Sequence, residues 1–395
     1  MNILITSHDP TPQYIYGDKR VSITLAKEWK RHGHNVFILS FCPYTNLAKE
    51  VEGVEQLLLP DHQCVCSNEN ISFFKETIKN RNVHIVLHQH ARIEMFNKLC
   101  FSLNTNVILV TVIHFDIAHD EKVLSQWFFS NIRNGADVYK WIKDCLSYLR
   151  YLLYRKKDLH TRLVKLYADI YSHSDIVSLL SSNYSGLFKE YVPNVDDNKL
   201  LYINNPIIPI TTKLYEQKEK IVLWVGRLGY DMKRLDYMLN IWKEINKTHS
   251  DWQLKILGSG DWDYWKKIIV RYNIENAEVV GFCNTSEYYQ KASIICMTSV
   301  TEGLPMVLIE AQQYGCVPIA YSSFAALDDI INDGENGYSV KAFDQKEYVS
   351  KLRRLMDNSN IRDRMSVNAI ESVKRFNVDN IAALWIDNFE RILEQ

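Results

Sequence analysis

A chain of 395 residues is long enough for two domains rather than one. Its 46 Lys and Arg residues nearly balance 47 Asp and Glu residues, and the formal net charge of -1 argues against a dedicated nucleic-acid binder. With 47% apolar and 24% charged residues, the composition is that of a globular protein and excludes a disordered chain.

The first half of the chain alternates short β-branched runs with helical patterns, which predicts a parallel sheet flanked by helices. A helix is expected over residues 18–32, because its apolar residues have helical spacing and Gly33 follows as a C-terminal signal. The predicted strands of this half cover residues 2–6, 35–41, 83–88, 107–114 and 176–180.

The second half repeats this pattern. Strands are predicted over residues 221–226, 253–257, 277–281, 293–297 and 317–320, and helices over 235–247, 262–272, 307–314, 345–356, 360–375 and 380–393.

Two prolines and several turn residues in segment 204–217 precede the second series of strands. We therefore predict a first domain of residues 1–205, a second domain of residues 206–376, and a closing helix in residues 377–395 that packs back on the first domain. Two doubly wound α/β domains that face each other leave a cleft at the carboxyl ends of their strands, where ligands bind.

The stretch TSVTEGLPMVLIEA leads from a strand through Glu302 and a Gly303-Leu304-Pro305 turn into a helix that carries Glu310. Gly303 permits close approach of a ligand to the backbone, and Pro305 suits the first turn of a helix. A helix N-terminus binds anions, above all phosphate. A carboxylate beside such a site suits sugar hydroxyls.

The stretch VLWVGRLGYDMKRLDYML places Arg227 and Lys233 in the loop after a strand that ends at Gly226. A guanidinium and an ammonium that converge suit a diphosphate whose negative charge grows as a bond to it breaks. From these residues alone, a solvated charged loop is an equally good interpretation.

These stretches carry a family resemblance. EGLPMVLIEA resembles the E-x7-E motif of retaining glycosyltransferases of family 4, and GRL followed by KRLDYML resembles their phosphate-binding loop. Further matches are SHSDIVSLLSSNY, NNPI, LKILGSGD, VVGFCNTSEYY and FNVDNIAALWIDNFERIL, so the resemblance spans nearly the whole chain and is strongest over residues 170–395. It implies the α/β fold called GT-B, with two Rossmann-like domains facing across a cleft.

The resemblance also implies residue roles. Arg227 and Lys233 hold the donor diphosphate, Glu302 contacts the transferred sugar, Glu310 binds the ribose hydroxyls, and His114 lies against the donor sugar. The other implied donor-binding residues are Gly303 and Leu304 through their amides, Phe282 and Cys283 beside the base, and Gly17 in the first loop.

Two histidines and two departures from the family pattern complete the site prediction. His88 and His90 end a predicted strand and either line the acceptor side or belong to a solvated loop. Gly17 stands alone where the family has paired glycines. Pro305 replaces a glycine of many relatives, a variant associated with polysaccharide-assembly enzymes.

The implied reaction moves a hexose-type sugar from a nucleotide diphosphate sugar, most commonly a uridine diphosphate sugar, to a glycan acceptor with retention of configuration. A double displacement would need a carboxylate under the anomeric carbon, whereas the family's usual account is same-face attack assisted by the leaving diphosphate. Because Arg227, Lys233 and the helix amides replace a metal, neither metal nor cofactor is expected. Asp261 and Asp263 are interpreted as a helix cap and a first-turn acid rather than metal ligands.

Residues 139–167 contain eight Lys or Arg and two Asp residues, a net charge of +6, and their apolar side chains share one helical face. A basic amphipathic helix of this kind binds anionic lipid, which would fit a lipid-linked acceptor at the cytoplasmic leaflet during capsule, O-antigen or exopolysaccharide assembly. The alternative is a core-facing stripe with a solvated back.

The sequence leaves two other functions open. One is a nucleotide-sugar epimerase or a phosphorolytic enzyme, which also uses two facing α/β domains. The other is a catalytically silent nucleotide-sugar-binding partner subunit. Glu302, Glu310, Arg227 and Lys233 are all present, which favours transfer over both.

Cysteine usage and the N-terminus predict a cytoplasmic protein without disulfides, a signal peptide or a membrane span. The only close pair is Cys64 and Cys66, and His62 nearby makes a metal-ligand cluster conceivable, although unliganded loop cysteines are the alternative. The other cysteines, scattered mostly within apolar runs, are Cys42, Cys100, Cys145, Cys283, Cys296 and Cys316.

Overall fold

The computed structural model describes residues 1–8, 17–41, 50–103, 106–125, 146, 149, 156–215, 217–229 and 232–394. These residues form two α/β units. The first unit comprises the described residues of Met1–Ile117, Thr161–Ile208 and Phe376–Gln395, and the second comprises those of Ala118–His160 and Pro209–Arg375. The described residues of 118–160, assigned to the first domain from sequence, thus group with the second unit, where Lys122 Nζ donates to the Ser323 carbonyl at 3.0 Å.

The first unit contains a sheet with strand order β3-β4-β2-β1-β5-β6-β7-β8. All neighbouring strands are parallel except β3 and β4, which form an antiparallel hairpin at one edge. The strands are β1 Asn2–His8, β2 Asn35–Phe41, β3 Glu50–Val51, β4 Val54–Leu58, β5 Ile85–His88, β6 Ile108–Ile113, β7 Ile176–Leu179 and β8 Leu200–Tyr202.

The second unit contains a wholly parallel sheet with strand order β11-β10-β9-β12-β13-β14. Its strands are β9 Glu219–Val225, β10 Gln253–Leu257, β11 Ala277–Gly281, β12 Ala292–Met297, β13 Val317–Tyr321 and β14 Tyr338–Val340. Because β12 and β13 are buried along their whole length, both read as continuous apolar runs rather than alternating patterns.

Helices follow most of the strands of both sheets, and the last three come after the final strand β14. They are α1 Asp18–Arg31, α2 Asn68–Asn80, α3 Glu94–Phe101, α4 Lys156–His173, α5 Ser185–Tyr191, α6 Leu235–Ile245, α7 Trp262–Arg271, α8 Ser286–Lys291, α9 Met306–Gln313, α10 Gln345–Asp357, α11 Ser359–Ser372 and α12 Val378–Leu393. In the first unit, Trp29 of α1 is fully buried, donates its indole N–H to the Ala382 carbonyl at 3.1 Å, and packs edge-on against Phe389, so α1 and the C-terminal α12 are tightly joined.

Every strand predicted from the sequence is present, with ends within two residues of the observed ones. The sequence analysis did not predict the β3–β4 hairpin, which is closed by Glu52 and Gly53, both with positive φ (49° and 84°). Two central residues with positive φ define the tight turn that matches strand twist, and the local sequence V-E-G-V carries that signal.

Most of the basic segment 139–167 lies outside the described residues. Within it, Leu146 and Leu149 are exposed (61% and 52%), whereas Leu163 and Tyr167 of α4 are buried. No helix in the described part of the chain is both long and apolar enough to cross a membrane.

Candidate active site

The candidate site of the second unit lies where β9, β10 and β12 end. These strands are parallel neighbours, so their carboxyl ends meet at one edge of the sheet. The loops that leave this edge are Gly226-Arg227-Leu228 after β9, Gly258-Ser259-Gly260 after β10, and the Thr298–Glu302 segment after β12. The three stretches that look unrelated along the sequence therefore share one edge.

Glycines allow the first two loops to pack against each other. The Gly226 N–H donates to the Leu257 carbonyl at 3.0 Å, and the Leu228 N–H donates to the Ser259 carbonyl at 2.7 Å. Gly258 has φ 141°, and a Cβ there would lie 1.8 Å from the Gly226 carbonyl oxygen. The loop after β10 thus holds the backbone on either side of Arg227 and requires glycine to do so.

Lys233 and Glu302 form an ion pair within the site. Lys233 Nζ donates to Glu302 Oε1 at 2.6 Å, and both side chains are largely buried (16% and 9% exposed). The Lys233 stem covers Gly226, with Cγ and Cδ each 3.5 Å from the point where a Cβ would stand. The sequence predicted both residues but not their contact, which links the loop after β9 to the loop after β12.

A buried hydroxyl anchors the Lys233 loop. Thr298, directly after β12, accepts the Trp224 indole N–H at 3.0 Å, and its hydroxyl lies 2.9 Å from the Arg234 carbonyl and 3.1 Å from the Lys233 carbonyl. The Val300 N–H donates to the Met232 carbonyl at 2.8 Å. Lys233 is therefore held in position by backbone contacts, and sequence reasoning did not identify Thr298 because its partners lie over 60 residues away.

Arg234 stabilises the start of α6 behind Lys233. It is 1% exposed, adopts φ 51°, and makes a bidentate pair with Asp236 through Nε–Oδ1 at 2.9 Å and Nη2–Oδ2 at 2.7 Å. Its guanidinium lies 3.6 Å from the centre of the Tyr237 ring. A buried guanidinium needs this degree of pairing, so Arg234 supports the loop rather than facing solvent.

Arg227 and the remaining residues predicted to bind the donor differ in their exposure. Arg227 is exposed, and no ion pair involves it among the described residues. Phe282, after β11, is 68% exposed, while Cys283 is half-buried and its thiol pKa is raised by burial. Glu310 is half-buried in α9.

Glu302 leads directly into the N-terminus of α9. Leu304 is buried and Gly303 partly exposed, and α9 begins at Met306, so Pro305 is the N-cap rather than a first-turn residue as predicted. The Leu308 N–H donates to the Pro305 carbonyl at 3.0 Å. Backbone N–H groups before this point have no acceptor within the helix, which is the arrangement that binds anions.

The Asp-Trp-Asp triplet caps a helix, as predicted. Asp261 Oδ1 accepts the Tyr264 N–H at 3.0 Å at the start of α7, and Asp263 lies in the first turn. The Asp261 carboxylate is thereby used for helix capping.

In the first unit, His114 directly follows β6 and its Nε2 contacts Gln89 Oε1. Gln89 is buried and follows the neighbouring parallel strand β5. An amide oxygen only accepts, so Gln89 holds a proton on His114 Nε2. Sequence analysis missed Gln89, although it directly follows His88 in the LHQH segment. Gly17 precedes α1, is exposed, and has φ 65°.

His88 and His90 do not belong to a solvated loop, which was the alternative interpretation from the sequence. His88 is fully buried; its Nε2 donates to Asn97 Oδ1 at 2.7 Å and its Nδ1 accepts from Thr6 Oγ1 at 2.9 Å. His90 is 7% exposed and packs on Phe96. A strand end can lie inside a sheet-and-helix core, which a local pattern does not reveal.

Burial lowers the pKa of His88 to about 4, so the neutral ring is the folded form. Between this value and the unfolded pKa near 6.5, the unfolded chain binds more protons, and stability falls as the pH is lowered. Protonation of His88 in the unfolded chain contributes up to about 1.4 kcal/mol per pH unit to the decrease in the free energy of unfolding between pH 7 and 4.5. We expect this decrease to be smaller in His88→Gln. Denaturant unfolding of both proteins measures this, and His173→Gln at an exposed position is the control; equal slopes for wild type and His88→Gln would contradict the assignment.

The described residues contain one group of three potential metal ligands, Glu28, His32 and Asp379. Arg31 Nη2 lies 2.5 Å from both Glu28 Oε1 and Asp379 Oδ1, and lowers the pKa of Glu28. This cluster is a salt-bridge network between α1 and α12. His62 does not form a three-ligand group with Cys64 and Cys66.

Comparison with known proteins shows that the second unit is similar to a glycosyltransferase family. Residues 211–372 match the family model described as "Glycosyl transferases group 1". The chain is 31% identical over 195 residues to an uncharacterized glycosyltransferase of Haemophilus influenzae, covering 48% of this chain and 54% of that protein. It is 31% identical over 210 residues to the amylovoran biosynthesis glycosyltransferase AmsD of Erwinia amylovora, covering 50% and 58%.

The name of a third relative states its acceptor. The chain is 26% identical over 224 residues to the Campylobacter jejuni N-acetylgalactosaminyltransferase that acts on an undecaprenol-diphosphate-linked glycan, covering 55% and 60%. The chain thus spans little more than half the length of these curated relatives.

Solved structures extend the likeness to the whole chain at the level of fold. The sucrose-phosphate synthase of Thermosynechococcus elongatus superposes with a TM-score of 0.77 and 15% identity, covering 100% and 99% of the two chains. HepE of Anabaena, in complex with UDP and glucose, superposes with a TM-score of 0.72 and 14% identity, covering 99% of this chain and 100% of that chain. The GT-B fold with two parallel-sheet α/β domains, predicted from the sequence, is confirmed.

Proposed function

We propose that this protein is a retaining glycosyltransferase of the family 4 type. It transfers a hexose-type sugar from a nucleotide diphosphate sugar, for which we propose a uridine diphosphate sugar, to a glycan acceptor in bacterial polysaccharide assembly. The amylovoran enzyme AmsD and the Campylobacter jejuni enzyme are glycosyltransferases by name, and the match over residues 211–372 includes Arg227, Lys233, Glu302 and Glu310. The observation that carries the proposal is the Lys233–Glu302 pair at the edge of the second sheet.

The pair suits a donor that is a sugar linked to a diphosphate. Lys233 carries a positive charge on a loop held by Thr298, and Arg227 offers a second, exposed cation on the same loop. Glu302 lies one residue before the turn into α9, so its carboxylate can bind sugar hydroxyls while the helix amides bind phosphate oxygens. A bound diphosphate would replace Glu302 as the partner of Lys233 and release the carboxylate toward the sugar.

In the proposed reaction, the bond between the anomeric carbon and the diphosphate oxygen breaks as the acceptor hydroxyl attacks from the same face. The leaving diphosphate accepts the hydroxyl proton, and Arg227, Lys233 and the α9 amides stabilise its growing negative charge. These cations take the place that a metal would have, so we propose that the enzyme needs none. In the first unit, His114, oriented by Gln89, contacts the donor sugar in this proposal.

Donor binding is tested by thermal unfolding of the purified protein with UDP, GDP, ADP and CMP at millimolar concentration. A ligand present at ~100 times its dissociation constant stabilises the native state by about 2.7 kcal/mol. We expect a selective shift with UDP that is abolished in Arg227→Ala. A shift with another of these nucleotides would correct the choice of nucleotide, whereas no shift with any of them would contradict a working donor site.

We further propose that the acceptor is lipid-linked and that the basic segment 139–167 binds the cytoplasmic leaflet. Leu146 and Leu149 are exposed, as a lipid-facing surface requires, and Lys156, Lys157 and Arg162 on α4 are exposed cations. The buried Leu163 and Tyr167 show that the end of the segment faces the core instead.

Vesicle flotation tests this contact. The protein is expected to float with vesicles containing phosphatidylglycerol but not with pure phosphatidylcholine, and to lose most binding above about 0.5 M salt, where charges are strongly screened. A Leu146→Glu/Leu149→Glu variant should stay unbound, while Leu393→Glu, at another exposed leucine, should bind normally. Equal flotation of both variants would contradict a role for this segment.

A further inference from the structure

We propose that Cys64 and Cys66 form a reversible redox-modification site that closes into an intramolecular disulfide. The pair lies in the loop that joins β4 to α2 in the first unit. Its two Sγ atoms are 4.0 Å apart, and both side chains are half-buried and so within reach of solvent.

The loop backbone holds the two thiols on the same side. The Ser67 N–H donates to the Cys64 carbonyl at 3.3 Å, which makes Cys64 and Cys66 the first and third residues of a turn. Val65 between them is 4% exposed and packs in the hydrophobic core. With Val65 directed inward, its two neighbours are left together at the surface.

Asn70 makes this arrangement rigid. It is fully buried, and its side-chain amide donates to the carbonyls of Asp61, Cys64 and Val65 at 2.9, 2.9 and 3.2 Å. Its Oδ1 accepts the Asp61 N–H at 2.8 Å, and Asp61 Oδ1 accepts the Cys64 N–H at 3.3 Å. A pair of thiols held in this way loses little conformational freedom when a bond forms between them.

Only a small movement of the two sulfur atoms is needed to form the disulfide. A disulfide has an S–S length of about 2.05 Å, so the sulfur atoms must approach by about 2 Å, which side-chain rotation achieves. A ring closed by a three-residue loop is strained, and strained, accessible disulfides are readily reduced again. The pair suits a reversible modification rather than a permanent crosslink.

The other described cysteines lack these features. Cys100, Cys296 and Cys316 are buried, and burial raises their thiol pKa values to about 12, 12 and 11, which suppresses the reactive thiolate. Burial also raises the pKa of the Cys66 thiol, but Cys66 stays partly exposed and has Cys64 beside it. Cys283 is half-buried, like Cys64 and Cys66, but no other described cysteine is in hydrogen-bond contact with it. It is a natural internal control.

The oxidant is a low-molecular-weight disulfide such as glutathione disulfide. The thiolate of one cysteine attacks it, forms a mixed disulfide and expels one glutathione thiolate. The second cysteine then attacks the protein-bound sulfur, closes the Cys64–Cys66 bond and expels the second glutathione. Two thiols are oxidised, one glutathione disulfide is reduced to two glutathiones, and the two protons pass to the released thiolates.

Differential alkylation of the full chain tests the proposal without any activity assay. The protein is equilibrated with glutathione disulfide, and its remaining thiols are blocked with N-ethylmaleimide. The masses of its proteolytic peptides are then measured by mass spectrometry. The peptide with Cys64 and Cys66 is expected to lose two hydrogens and to carry neither N-ethylmaleimide nor glutathione. Cys283 is expected to carry either N-ethylmaleimide or glutathione. Dithiothreitol should restore both thiols.

Cys66→Ser separates closure from simple reaction at one thiol. In this variant, Cys64 is expected to keep a bound glutathione, because no second thiol displaces it. The proposal is overturned if wild-type Cys64 also keeps glutathione, if neither thiol reacts, or if either one bonds to a different cysteine. Because no outcome depends on sugar transfer, failure here leaves the proposed glycosyltransferase activity untouched.

Discussion

Replacing Lys233 with alanine is expected to lower kcat by about 10²–10³-fold, the usual cost of removing one group that stabilises charge in a transition state. The variant loses a cation next to the leaving diphosphate and leaves the Glu302 carboxylate, 9% exposed, without its 2.6 Å partner in the same space. Both effects act against developing negative charge. Initial rates with saturating donor and acceptor give the measurement.

Lys247→Ala is the matched control, since Lys247 pairs with Glu244 at 2.8 Å on the surface of the same unit. Its loss should change the rate less than twofold, because exposed pairs contribute little. The double variant Lys233→Ala/Glu302→Gln also removes the negative charge of Glu302. We expect it to bind UDP more tightly than Lys233→Ala alone, because that charge repels the diphosphate. A Lys233→Ala enzyme with wild-type kcat would contradict the proposed role of the ion pair.

Replacing Gly258 with alanine is expected to lower the free energy of unfolding of the second unit by about 3 kcal/mol or more. The added Cβ would stand 1.8 Å from the Gly226 carbonyl oxygen, so the loops after β9 and β10 must separate and lose the 2.7 and 3.0 Å backbone hydrogen bonds between them. Arg227 lies between these bonds, so UDP binding should weaken as well.

Gly334→Ala isolates the cost of collision from the cost of backbone strain. Gly334 also has positive φ (81°), but nothing lies within 4 Å of the position of its Cβ. Strain alone should cost about 1–2 kcal/mol there. Denaturant unfolding followed by the buried tryptophans of the second unit compares the two variants, and equal losses would show that the loop packing is not specific.

The strands and helices that were predicted have local signals, whereas α2, α3, α5 and α8 were not predicted. Strands such as β12 are apolar runs bounded by turn residues, and the Asp261 cap is a short-range hydrogen bond to Tyr264. The β3–β4 hairpin was missed even though its turn signal is local, because β3 has only two residues. Short edge strands offer too few side chains for a pattern to emerge.

The candidate site was predictable as a set of residues but not as an arrangement. Glu302 and Lys233 were singled out because strand ends in α/β sheets bear ligand-binding loops, and the resemblance added their roles. Their ion pair could not be foreseen, since 69 residues separate them along the chain. The burial of His88 was equally hidden, because its partners Thr6 and Asn97 come from different parts of the first unit.

The sequence by itself determined the element types, the doubly wound topology of both halves and the chemical groups available at the strand ends. These depend on apolar periodicity, capping residues and turn residues, which act within a few positions. Only the tertiary structure decided which distant groups touch: Lys233 with Glu302, Gly258 with Gly226, and Gln89 with His114. Contact and burial depend on how distant strands are ordered and how their loops pack, which no local pattern encodes.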